Sequence, residues 1–153
     1  MAANRKPVTP DQRSRDLQRE FRALQKQDPS PARAAELATL ARAAHADRQL
    51  NLAMLAAQQC LEEDPSEPDL LVEAYRSEPG GEARLLELAD LRDLARYIDR
   101  SDLVAVADRD IESAARDWVL PAEEGERRYR LRTVQSLASA DLADTLRDEV
   151  DEP

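Results

Sequence analysis

The chain has 153 residues, and its 32 acidic and 22 basic side chains give it a net charge of −10 at pH 7. Such a chain repels nucleic-acid phosphates at long range, so only a local basic surface could bind them. It has three glycines, one Phe, one Trp and three Tyr, and is rich in Ala, Leu, Arg and Glu, which favour helices over strands. We therefore expect an all-α fold of about seven helices, stacked as hairpins with charged terminal arms.

A basic arm and helix occupy residues 1–28 of the predicted organisation. Residues 1–33 carry eight Arg or Lys and only four Asp or Glu. Thr9 as N-cap and Pro10 as first residue predict a helix that runs to about Gln27. Its apolar residues recur at i, i+4 and i+7, a stripe that docks on the body of the protein or on a partner. The stripe consists of Leu17, Phe21 and Leu24.

A helical body is predicted over residues 29–120, and it begins with a hairpin of helices at about 31–46 and 48–62. Ser30 and Pro31 provide the cap and the first residue of its first helix. Small and apolar residues recur along both helices, and a proline closes the unit. They are Leu37, Leu40, Ala41 and Ala44, then Ala53, Ala57 and Cys60, then Pro65. This spacing over residues 34–67 resembles one tetratricopeptide repeat, although three large aromatic residues of that consensus are missing.

The resemblance implies a groove that binds an extended or helical peptide. Its groove-lining positions in the first helix are Ala38, Arg42 and His45. The sequence of the first hairpin can be aligned with a second hairpin that follows 54 residues later. This second copy adds Arg92 and Arg96 to the expected groove. These arginines would clamp an acidic side chain or a terminal carboxylate of the partner, or else pair with neighbouring acids of this chain.

Three further helices complete the predicted body, at about 67–77, 82–98 and 101–118. Ser66 caps the first of them in a capping box with Asp69. The Gly80-Gly81 pair then stops that helix and is the expected hinge.

Residues 121–153 form an Arg-rich segment followed by an acidic helix that Ser139 caps. From Glu126 to Val134, Arg alternates with other residues, which is typical of an edge strand, although a helical turn fits equally well. The arginines of this island bind phosphates or form ion pairs within the protein, and the nearby acids favour ion pairs. They are Arg127, Arg128, Arg130 and Arg132.

Catalytic chemistry has few candidates here, because His45 is the only histidine and Cys60 the only cysteine. They suggest neither a zinc site nor a catalytic triad, and no glycine-rich phosphate loop is present. We therefore expect no enzymatic activity, no catalytic or metal-ligating residues, and no cofactor.

The leading hypothesis is a non-enzymatic adaptor or assembly protein that binds a protein partner or itself. The alternatives are a structural component of a larger particle, such as a tailed-phage connector or minor virion protein, and a nucleic-acid-associated regulator. The sequence contains neither an apolar N-terminal signal nor a stretch long enough to cross a bilayer. We expect a cytoplasmic protein, or one within a virion assembled in the cytoplasm, without membrane or nucleic-acid partners.

Overall fold

Eight α-helices make up the fold in the computed structural model, which describes residues 9–63 and 69–151. The helices are α1 (Pro10–Gln25), α2 (Pro31–Ala46), α3 (Leu50–Glu63), α4 (Asp69–Tyr75), α5 (Gly81–Tyr97), α6 (Ser101–Val119), α7 (Glu124–Leu137) and α8 (Ala140–Asp151). No β-strand occurs in these described ranges. The predicted all-α class is confirmed.

Side-chain caps define three of the helix starts, as the sequence predicts. The Thr9 hydroxyl accepts a hydrogen bond from the Gln12 N–H at 3.2 Å, and the Ser30 hydroxyl accepts one from the Arg33 N–H at 3.0 Å. The Ser139 hydroxyl accepts one from the Leu142 N–H, also at 3.0 Å. Each oxygen satisfies an N–H that has no partner within the helix. The proline predicted to close the first hairpin, Pro65, lies outside the described residues. So do Ser66, the predicted cap of the next helix, and Glu67, its predicted first residue.

The strand interpretation of Glu126–Val134 is wrong, because this segment belongs to helix α7. Leu131 and Val134 are both buried, and their spacing of three residues places them on one side of a helix. On a strand the same two residues would point to opposite faces. Packing against α5, α6 and α8 therefore overrides the local alternation of arginines.

The chain divides into two units, Met1–Leu71 and Val72–Pro153, and the division falls within α4. In the first unit α1 packs on α2 and α2 packs on α3. In the second unit α5 pairs with α6 and α7 pairs with α8, around a core of leucine, isoleucine and valine side chains. The segment boundaries that the sequence predicts, between residues 28 and 29 and between residues 120 and 121, lie in the α1–α2 and α6–α7 connections.

The hairpins α2–α3 and α5–α6 turn in the same way. Arg48 and Asp99 have φ values of 62° and 59°, in the left-handed region, and each follows the first helix of its hairpin. Next to them, the Gln49 N–H donates to the Ala44 carbonyl at 2.8 Å, and the Arg100 N–H donates to the Ala95 carbonyl at 2.9 Å. Both are six-residue helix-ending turns, which satisfy carbonyls at the helix C-terminus. Their offset is 51 residues.

Burial is compatible with this offset. Nine pairs of residues 51 apart are buried in both hairpins: Ala34/Leu85, Leu37/Leu88, Ala38/Ala89, Leu40/Leu91, Ala41/Arg92, Ala44/Ala95, Leu52/Leu103, Ala56/Ala107 and Cys60/Ile111. The offset of 54 expected from the sequence also pairs buried residues: Leu40 with Leu94, Ala41 with Ala95, Ala53 with Ala107, and Cys60 with Ala114. Burial therefore fits both offsets, and the offset of 51 is set by the turns, where Arg48 and Asp99 are equivalent.

Candidate functional site

A groove between α1 and α2 in the first unit has a volume of about 520 Å³. Its floor and walls are mostly alanine and leucine, with polar groups along the edges. The lining residues are Glu20, Ala23, Leu24 and Gln27 of α1, and Ala35, Glu36, Thr39, Leu40 and Ala43 of α2. The volume falls within the range of about 300–1,000 Å³ that is usual for ligand sites.

Helix α2 leaves an apolar face open along this groove. Its other faces bury seven residues, whereas Ala32, Ala35, Thr39 and Ala46 are exposed and Ala43 is half-buried. A surface helix normally carries charged residues on its solvent face, and a helix that is apolar on all sides is normally covered on all sides. The small side chains also permit the close approach of another helix. This face is therefore suited to being covered by a partner.

The groove carries negative charge only. Glu20 on α1 and Glu36 on α2 are exposed, and no Arg, Lys or His is among the lining residues. A ligand with apolar groups for the floor and cationic groups for the two carboxylates complements this surface.

The residues that the sequence predicts to contact a partner differ in their burial and in the groups that they contact. Phe21 and Leu24 are 8% and 7% exposed, and Leu17 is half-buried, so the α1 stripe docks on its own unit while Leu24 also lines the groove. Arg42 and His45 are half-buried and are engaged by other groups of the protein. Neither of them lines the α1–α2 groove.

Arg92 and Arg96 do come together, at a smaller cleft of about 270 Å³ in the second unit. Arg92 is 9% exposed, and its guanidinium donates to the Leu137 carbonyl at 2.9 Å and to the Ala138 carbonyl at 3.2 Å. Arg92 therefore satisfies carbonyls at the end of α7. Arg96 is exposed and lies 3.8 Å from the Asp93 carboxylate.

The arginine island separates into two faces of α7. Arg127 donates to the Ala122 carbonyl at 2.6 Å, and Arg130 donates to the Trp118 carbonyl at 2.7 Å and lies over the Trp118 ring at 5.3 Å. These two side chains stabilise the α6–α7 connection. Arg128 and Arg132 are exposed on the other face and form no ion pair among the described residues. The island therefore offers a ligand two free arginines rather than four.

Helix α1 carries a larger basic surface, on the part of the helix that the apolar stripe leaves to Arg and Lys. Four exposed cations recur at i, i+4, i+7 and i+11 and so lie on one side of the helix. This cationic row consists of Arg15, Arg19 and Arg22 of α1 together with Lys26, the C-cap residue of α1. Only Arg19 has an ion-pair partner within the described ranges, Asp16 at 3.7 Å. The helical spacing of these four residues was visible in the sequence and could have identified the row.

Buried arginine is the second feature that the sequence analysis missed. Arg33 is 6% exposed, its guanidinium donates to the Gln27 carbonyl, and its Nη2 lies 2.8 Å from Oε1 of Glu63. This ion pair joins the start of α2 to the end of α3. Nothing in the local sequence separates Arg33 from the exposed arginines, because its burial depends on the return of α3.

Residues 9–63 and 69–151 contain no group of three or more His, Cys, Asp or Glu side chains that is arranged to hold a metal ion. None of the described helices combines the length and the apolar character needed to cross a bilayer.

Comparison with known proteins adds no relative. No family model matches the chain, and no curated protein or solved structure is detectably similar to it.

Proposed function

We propose that this protein is a non-enzymatic adaptor that binds an amphipathic helix of a partner protein in the α1–α2 groove. The observation that carries the proposal is the apolar face of α2, which lies open beside α1 in a groove of about 520 Å³. Helix-in-groove binding is an established mode of peptide recognition that uses such a surface.

The floor of the groove selects the apolar side of the partner helix. Ala23, Ala35 and Ala43 offer little side-chain volume, so the groove has room for larger side chains such as Leu or Phe. Each large apolar side chain that is fully buried there contributes about 1.5–3 kcal/mol of hydrophobic free energy. Two or three such residues at i, i+4 and i+7 would anchor a helix along the groove.

The edges of the groove select the charge of the partner. Glu20 and Glu36 favour Lys or Arg on the flanks of the incoming helix and disfavour acids, so they contribute specificity and association rate more than affinity. The predicted ligand is therefore a helix with an apolar face and basic flanks.

Site-specific photo-crosslinking in the native host tests this proposal. A photoreactive amino acid replaces Thr39, which is exposed in the middle of the groove, and a control chain carries it at Ala105, an exposed residue of α6. We expect a discrete protein adduct from position 39 only. The cross-linked segment, identified by mass spectrometry, should have apolar residues at helical spacing with basic neighbours.

Two outcomes would contradict the proposal. Equal adducts from both positions would show non-specific contact, and a cross-linked segment rich in acids would show that the charge of the edges does not select the partner. Adducts with nucleic acid instead of protein would favour a nucleic-acid-associated regulator.

A further inference from the structure

Helix α8 presents an acidic row that matches the cationic row of α1. Four exposed aspartates recur at i, i+3, i+7 and i+10 on the side of α8 opposite the buried Leu146. This acidic row consists of Asp141, Asp144, Asp148 and Asp151. Only Asp144 has an ion-pair partner among the described residues, Arg147 at 2.7 Å.

Another side of α8, away from the acidic row, contacts the second unit through an ion pair. Glu149 binds the Arg116 guanidinium of α6 through two contacts, of 2.5 and 3.1 Å. The hydrogen bonds from Arg116 lower the pKa of Glu149. The core contact of Leu146 and the Arg116–Glu149 pair together direct the acidic row away from the second unit.

The two rows agree in length as well as in charge. The α1 row runs over 12 residues and the α8 row over 11, so at a rise of about 1.5 Å per residue their end residues are about 17 and about 15 Å apart along the helix. Each row carries four charges of one sign, and both rows are exposed in the folded chain.

The charge of each unit favours contact between unlike units. The first unit contains 11 acids and 10 bases, a net charge of −1, whereas the second contains 21 acids and 12 bases, a net charge of −9. Contact between two second units would place like charges together. Contact between the first unit of one copy and the second unit of another avoids most of this repulsion. At physiological salt, repulsion between exposed charges extends only about 8 Å.

We propose that the cationic row of α1 binds the acidic row of α8 in a second copy of this chain. The contact joins different surfaces of the two copies, so it generates a closed ring or an open chain of subunits. A second copy is favoured over nucleic acid because four cations are a short footprint for phosphates on a protein whose net charge is −10.

Charge reversal with complementation tests this contact on the full-length chain, with sedimentation velocity at several concentrations as the readout. One variant combines Arg19→Glu and Arg22→Glu, another combines Asp144→Arg and Asp148→Arg, and a third carries all four changes and keeps the wild-type net charge. The matched control is Arg128→Glu with Arg132→Glu, which reverses two exposed arginines of α7 and changes the net charge as the first variant does.

We expect the wild-type chain to associate at low salt in proportion to its concentration, and to dissociate as salt rises because the contact is ionic. Each two-residue reversal should weaken association by about tenfold or more. An equimolar mixture of the two reversed variants, and the fourfold variant, should restore it. This restoration also shows that the reversed chains are folded, and the α7 control should associate like the wild type.

Several outcomes would overturn the inference. They are a monomeric wild-type chain at every concentration at low salt, reversed variants that associate like the wild type, and an α7 control that loses association equally. Salt-sensitive binding of an oligonucleotide to a monomeric wild-type chain, lost in the α1 variant, would assign the cationic row to phosphates instead. Cross-linking from Thr39 does not depend on this contact, so the two proposals can fail separately.

Discussion

The hairpins α2–α3 and α5–α6 share a turn geometry and a set of buried positions, yet different side chains occupy those positions. Where the first hairpin has Ala34, Ala41 and Cys60, the second has Leu85, Arg92 and Ile111. The first relies on close contact between alanine-lined helices, and the second on bulkier side chains that also meet α7 and α8.

The positions on the open face of α2 also differ from their α5 counterparts. Ala35, Thr39 and Ala46 of α2 correspond to Leu86, Asp90 and Tyr97 of α5 at the offset of 51 residues. The same helix face is thus small and uncharged in the first unit, and carries large apolar and acidic residues in the second. The buried positions therefore specify the hairpin, and the exposed positions distinguish what each unit can bind.

The largest expected effect concerns the buried ion pair of the first unit. Arg33→Ala should destabilise the protein by about 3–5 kcal/mol, because it leaves the Glu63 carboxylate buried without its cation. Urea unfolding followed by circular dichroism measures the loss, and Arg109→Ala, at an exposed residue of α6, is the control. A double-mutant cycle with Glu63→Ala should show that the two changes are not additive.

Matched leucines test how well each core relaxes around a cavity. Leu37 and Leu88 are both 0% exposed and lie 51 residues apart. Leu→Ala at either position should cost about 2–5 kcal/mol, with Leu37 at the upper end because neighbouring alanines cannot move side chains into the space. The single tryptophan, Trp118, lies in the second unit, so its fluorescence should report Leu88→Ala more directly than Leu37→Ala.

A smaller effect should follow from enlarging a buried alanine of the first hairpin. Ala53 is 0% exposed on α3, and Ala53→Leu should cost about 1–3 kcal/mol through overpacking. Thermal unfolding measures the change. The same substitution at the exposed Ala105 should change stability by less than about 0.5 kcal/mol. Equal melting temperatures for both variants would show that the α2–α3 contact is not tightly packed.

The smallest expected effect comes from an ion pair at the start of α6. Two hydrogen bonds from Arg100, of 2.9 and 2.8 Å, lower the pKa of Asp102 to about 2. A lowered pKa in the folded state stabilises the fold above the unfolded value of about 3.9, and this stabilisation is lost as pH falls toward 2. The pair is exposed, so the gain is within about 1 kcal/mol.

NMR titration checks this pKa directly. In the Arg100→Ala variant, the Asp102 pKa should rise toward its ordinary value. A titration of Asp102 that is the same in both proteins would show that the ion pair does not persist in solution.

Local sequence signals predicted much of this fold, and long-range packing accounts for the rest. Thr9, Ser30 and Ser139 mark helix starts because a cap depends only on residues three positions away. Arg33 and Arg92 could not be recognised as buried, because their partners lie on other helices. The α1–α2 groove was missed for the same reason, since it depends on which face of α2 the helix α1 leaves open.

The most direct test of the groove as a binding site uses two matched double variants, both with the photo-crosslinker at Thr39. Ala35→Glu with Ala43→Glu adds two acids within the groove, and Ala105→Glu with Ser113→Glu adds two acids at the same spacing on the exposed side of α6. Both variants have the same net charge. We expect the acids on the groove floor, where apolar contact is needed, to lower the yield of the partner adduct by about tenfold, and the α6 pair to change it by less than about twofold. Equal yields from the two variants would contradict the assignment of this groove as the partner-binding site.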